Sequence, residues 1–151
     1  MMFGGFRVVG DDLDPDEVTE LTGLDPSDAW RKGDPHVNRI GVVLAPRKTS
    51  VWSFYAPTEF SLDLPELLDG LLDRFEPKRD EIVALLHRTS STAEVSLHIY
   101  MSDQTPIGTI SLATLKRIVA LNADLDLDLY VVDDDRLKRG SFRNADWNGR
   151  R

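Results

Sequence analysis

Hydrophobic residues recur along this chain with two periods, and the change of period marks out its elements. Strict alternation runs through Ala93–Met101, where Val95, Leu97, Ile99 and Met101 share one side and Glu94, Ser96, His98 and Tyr100 the other. It returns in Asp124–Val132, and both stretches predict half-buried strands. Phe6–Val9, Ile40–Ala45 and Val51–Tyr55 are shorter β-type runs, and the last two flank the polar turn Arg47–Ser50 as a hairpin would. Pro106–Ile110 predicts a further, edge-type strand. Spacing of three and four residues instead governs Leu64, Leu67, Leu68, Leu71, Leu72 and Phe75, which predicts a helix. Pro77 ends it, and a second helix is expected from Arg79 to Arg88.

Local punctuation supports these boundaries. In Asp14-Pro15-Asp16-Glu17 an aspartate can cap the orphan amides of a helix, proline suits its first turn, and Gly23 stops it. Asp25-Pro26-Ser27-Asp28 repeats the signal and predicts a short turn running into Ala29-Trp30-Arg31-Lys32-Gly33-Asp34. Asp63 and Pro65 open the leucine-rich helix, and Ser111 opens one with Leu115, Ile118 and Val119 inside. The resulting order, β-α-β-β-α-α-β-β-α-β, predicts an α+β fold. Its sheet should be mainly antiparallel with helices packed on one face, and a ferredoxin-like or duplicated arrangement is the expectation that the order raises.

Composition narrows the class. At 151 residues with 41% hydrophobic content the chain fits one domain with a filled core, placed at residues 1–135. It has no cysteine, which excludes disulfide scaffolds, thiolate zinc sites and thiol catalysis. With neither an apolar run of spanning length nor a leader-like start, a cytoplasmic protein without a membrane partner is expected. The net charge of −8 is uneven: residues 1–135 hold 25 acids against 12 bases, whereas 136–151 hold six bases and one acid. The body is thus at −13 and repels phosphate, so no nucleic acid is expected there, while 136–151 reads as a flexible basic tail at +5.

Candidate chemistry is sparse. Asp124, Asp126, Asp128 and Asp135 have the one, three, five and twelve spacing of a calcium loop, but Leu129 stands where that loop needs glycine. The alternation of Leu125, Leu127, Leu129 and Val131 favours a strand with an acidic face. His36, His87 and His98 have no ligand spacing, and no nucleophile elbow or phosphate-cradling loop occurs, so no catalytic, metal or cofactor residues are assigned. What remains is an aromatic and charged set, Trp30, Lys32, Asp34, Trp52 and Tyr55, since Trp and Arg, as in Trp30-Arg31, serve as anchors at binding surfaces; each Trp reads somewhat more readily as a core plug.

In these same residues the chain resembles a bacterial family known as domain of unknown function 4279. The likeness runs from residue 6 to 132. It is carried by Gly10-Asp11-Asp12-Leu13-Asp14, the helix Pro15–Leu24 with Pro26, Ala29-Trp30-Arg31-Lys32-Gly33-Asp34, Trp52, Leu62–Leu72, Pro77-Lys78, Thr105-Pro106, Leu112 and Ala123–Tyr130. The resemblance implies no activity, cofactor or site. The functional expectation therefore rests on charge. It is a non-enzymatic binding domain for a basic protein partner, in the manner of a toxin-neutralising immunity protein, with a small-ligand-binding regulatory domain as the alternative and an enzyme behind both.

Overall fold

The computed structural model describes residues 2–38, 40–56, 63–101 and 108–131. In chain order its elements begin with β1 (Met2–Gly10), α1 (Pro15–Thr22), β2 (Asp28–Trp30), β3 (His36–Val37), β4 (Val43–Leu44) and β5 (Ser50–Tyr55). They continue with α2 (Leu64–Phe75), a 3-10 turn (Glu76–Lys78), α3 (Arg79–Arg88), β6 (Thr92–Met101), α4 (Leu112–Ala120) and β7 (Ala123–Val131). Five strands form one sheet in the order β2-β5-β1-β6-β7, and β3 with β4 makes a separate two-stranded ribbon. Pairing in the large sheet is antiparallel except between β6 and β7, which run parallel with α4 as the crossover. The architecture is α+β with a mainly antiparallel sheet, as the hydrophobic pattern implies. Because β6 and β7 are neighbours, the split β-α-β of a ferredoxin-like sheet is not formed.

The caps fall where the sequence puts them. Asp14 accepts from the Asp16 amide at 3.0 Å, Asp63 from the Glu66 amide at 3.1 Å, and Ser111 from the Thr114 amide at 3.1 Å. Each satisfies a donor that the first helical turn leaves orphaned. Helix α2 buries Leu64, Leu68, Leu71, Leu72 and Phe75 against Phe6, Val8, Trp52, Val95 and Leu97 of the sheet. Burying each such side chain contributes about 1.5–3 kcal/mol, so this layer carries much of the fold's stabilisation. α1 packs on β5 and on α3, which adds Ile82, Leu85 and Leu86 to the same core. Arg117 of α4 is tied to α2 by Asp69 at 2.8 Å, Asp73 at 2.5 Å and Glu76 at 2.6 Å, and these carboxylates raise its pKa above the ordinary arginine range, Glu76 first.

Four sequence expectations are corrected. Ile40–Ala45 does not pair with β5: only Val43 and Leu44 are strand, and they pair with β3, because Asn38 Oδ1 accepts from the amides of Ile40 and Val42 and closes a local turn. Ile40, Val42, Val43 and Leu44 accordingly lie exposed. Asp28–Trp30 is a strand rather than a helical turn, since the edge of β5 supplies a ladder where an isolated turn must meet its nucleation cost alone. On α4 only Thr114 and Ile118 are buried, and Leu112, Leu115 and Val119 face outward. His98, expected on a solvent face, is fully buried. Of the expected strand Pro106–Ile110, residues 106 and 107 lie outside the described residues and 108–110 form no strand. The basic segment 136–151 also lies outside them.

Candidate functional site

Directly opposed residues of paired strands share a face of the sheet, so the register separates the five candidates at once. Ala29 opposes Trp52, and Trp30 opposes Val51. Trp52 is therefore on the helix side, where it is fully buried and its Nε1 donates to Thr19 Oγ1 at 3.0 Å. Trp30 and Tyr55 are on the other side. The five residues do not line one cleft.

The segment Trp30–Asp34 is a turn held by its own neighbours. The Trp30 indole donates to the Thr49 carbonyl at 3.1 Å, and the Arg47 guanidinium lies 4.0 Å above its ring centre. Arg31 bridges Asp14 at 2.6 Å and Asp16 at 2.5 Å, and Lys32 meets Asp11 at 2.5 Å. Hydrogen bonds donated to these carboxylates, Asp16 first for Arg31 and Asp11 for Lys32, raise the pKa of both bases. Asp34 accepts from the Arg31 amide at 2.8 Å. The acidic start Asp11–Asp16 and the basic turn are thus one interlocked unit that binds α1 to the sheet edge. Being solvent-exposed, each of these pairs is worth little energetically, and their effect is to fix the loop's course.

The face of the sheet opposite the helices holds a constellation that periodicity did not reveal. Phe3 opposes His98, Gly5 opposes Ser96, and His98 in turn opposes Asp128, with Tyr100 opposite Tyr130. The Phe3 ring stacks on His98 with centres 4.5 Å apart, and Tyr100 stacks on Tyr130 at 4.8 Å. Tyr55 meets both Phe3 and His98 edge-on, at 6.0 and 5.9 Å. It does so by lying over Gly5, where a Cβ would fall 2.6 Å from its ring. Inside this aromatic cover His98 Nδ1 stands 3.2 Å from Asp128 Oδ2, within ion-pair distance. An imidazole with no exposed surface cannot reach an outside substrate, so the pair reads as a buried polar tie between β6 and β7 rather than as an acid–base couple.

Acidic side chains lie on this face too. Asp124 is exposed at its rim, Asp126 and Asp128 are half-buried, and Arg7 pairs with Glu94 at 3.5 Å farther in. The pattern missed the constellation because its members come from four strands, and Phe3 precedes the run Phe6–Val9 by which the first strand was recognised. The roles of the three aspartates now differ. Replacing Asp128 by leucine should cost about 1–3 kcal/mol by depriving buried His98 of its carboxylate, whereas Asp124→Leu should stay within about 0.5 kcal/mol. Urea denaturation of the two variants measures this, and equal losses would contradict the assignment.

Among protein families, the model described as domain of unknown function (DUF4279) matches residues 5–132, which takes in the sheet apart from the first three residues of β1. No curated protein and no solved structure matches the chain.

Proposed function

We propose that this chain, which belongs to the DUF4279 family, is a non-enzymatic binding domain that takes a basic protein partner; neutralising a toxin, as immunity proteins do, is one form of that role. The observation that supports this most is where the domain's bases are engaged. Arg7, Arg31, Lys32, Lys78, Arg79, Arg88 and Arg117 each pair with an acid of the same body. Arg47 and Arg74 lie over the rings of Trp30 and Phe54. The excess acid of residues 1–135 is then what an approaching molecule meets, and a field of one sign attracts basic surfaces and repels phosphate.

Such a field acts mainly on encounter. The expected result of affinity capture at low salt is a basic protein whose association rate falls about tenfold or more between ~20 and ~150 mM salt, as screening shortens the reach of the charges. Capture of an acidic or neutral protein, or a rate indifferent to salt, would remove the basis of this reading.

A further inference from the structure

The two-stranded ribbon of β3 and β4 stands apart from the sheet, and the fold makes no use of its apolar side chains. Val37 and Val43 oppose each other and share one face, 53% and 75% exposed, and Ile40 at the turn between the strands is 84% exposed. Val42 and Leu44 are exposed as well. None of these five belongs to the core or packs against it. The ribbon is held instead by its backbone: the Asn38 amide donates to the Val42 carbonyl at 2.9 Å, and Asn38 Oδ1 closes the turn. Five large apolar side chains within eight residues, used by no core, mark a contact with another molecule.

The charge of this segment decides between the occupants. Residues 35–50 contain three bases, Arg39, Arg47 and Lys48, and no acid, within a body at −13. Lys48 is exposed and, among the described residues, makes no ion pair. The complement of such a segment is an acid-rich surface with an apolar centre. An anionic bilayer would attract the bases but would also repel the acidic remainder of the body. This chain carries the complement itself, next to the ribbon. The Gly33 amide donates to the Arg47 carbonyl at 2.8 Å and the Arg47 amide to the Asp34 carbonyl at 3.0 Å. The foot of the ribbon is thereby fixed to the turn that Asp11, Asp14 and Asp16 brace through Lys32 and Arg31. Apolar side chains, bases and acids lie together on one surface, and such a surface complements itself under a two-fold rotation. Each copy's bases then reach the other's acids while the two apolar faces meet. We infer that the ribbon is the contact by which two copies of this chain form a symmetric dimer, with Val37 and Val43 at its centre and Lys48 directed to the aspartates of the other copy. The dimer stands or falls independently of the basic-partner reading.

Sedimentation velocity of the full chain is expected to show a monomer passing to a dimer between about 1 and 100 μM. Val43→Asp should abolish the dimer, and Lys48→Glu should weaken it about tenfold by setting acid against acid. Both side chains are exposed, so both variants should keep the circular dichroism of the unaltered protein. The chain has no cysteine, so a single introduced one reports its own surroundings. Val43→Cys is expected to give a disulfide-linked dimer under mild oxidation, because a residue at the centre of a two-fold contact approaches its own copy. Val119→Cys, exposed on α4 beside β7 at the far end of the sheet, should stay monomeric under the same oxidation. A chain that remains monomeric throughout that range, a dimer that survives Val43→Asp, or cross-linking at Val119 equal to that at Val43 would overturn the inference. So would a monomer that floats with phosphatidylglycerol vesicles and ceases to do so in Val43→Asp, which would identify a bilayer as the occupant.

Discussion

Replacing Trp52 by alanine is expected to lower folding stability by about 3–5 kcal/mol, the range for removing a fully buried aromatic. The indole is fully buried between β5 and the helices. It meets Phe75 edge-on at 6.3 Å and lies nearly parallel to Phe54 at 6.5 Å, so its loss opens a cavity bordered by rigid rings that cannot collapse into it. It also removes the donor to the hydroxyl of Thr19, which receives the indole N–H across 33 residues of sequence and fixes α1 on the sheet. Urea denaturation should show the midpoint falling with an unchanged slope. Trp30→Ala removes a half-buried ring at the sheet edge and should cost no more than about 1–2 kcal/mol. A larger loss for Trp30 than for Trp52 would mean that the two faces of β5 are reversed.

The second large effect is expected at a glycine. At Gly10, where β1 leaves the sheet, an added Cβ would fall 2.0 Å from Ser91 Oγ, 2.8 Å from its Cβ and 3.1 Å from its Cα. Ser91 cannot swing aside: it is buried and its hydroxyl is 2.7 Å from that of Thr89. Gly10→Ala should therefore overpack the junction of β1 with the start of β6 and cost about 1–3 kcal/mol. Ser91→Gly in the same chain removes the obstructing atoms. The double variant should recover part of the loss, giving a favourable coupling of at least about 0.5 kcal/mol in a double-mutant cycle. Strict additivity would place the strain elsewhere.

Helix boundaries were legible in the sequence because each is set locally: Asp14, Asp63 and Ser111 cap helices from their own flanking residues, and Pro77 interrupts one. The strands Ala93–Met101 and Asp124–Val132 were equally legible, within a residue of the observed β6 and β7. What alternation could not supply is the identity of each strand's neighbour. β5 follows β4 closely in the chain yet pairs with β1, whose partners are 40 or more residues away, and nothing in a local pattern encodes such a contact. The parallel pairing of β6 with β7 escaped for the same reason.

The candidate site was legible only as residue types. Trp30, Lys32 and Asp34 do lie close together, but their polar groups are engaged by Thr49, Asp11 and the Arg31 amide. Trp52 belongs to the core and Tyr55 to the opposite face. The features that now define the face opposite the described helices, His98 beneath Phe3 and Tyr55 and at ion-pair distance from Asp128, depend on register across four strands. The apolar row of β7 shows a further limit: Leu127 and Leu129 have the periodicity of core residues, but among the described residues their strand is the last of the sheet and α4 covers only its beginning, so the same alternation that buries Leu97 leaves them exposed.

Association kinetics of the captured basic partner, followed across ionic strength for the unaltered chain, Asp124→Lys and Trp30→Ala, tests the account most directly. It predicts a rate that falls steeply with salt, a severalfold further fall for Asp124→Lys, and little change for Trp30→Ala. A rate independent of salt, or binding lost with Trp30→Ala in a folded protein and kept with Asp124→Lys, would contradict it.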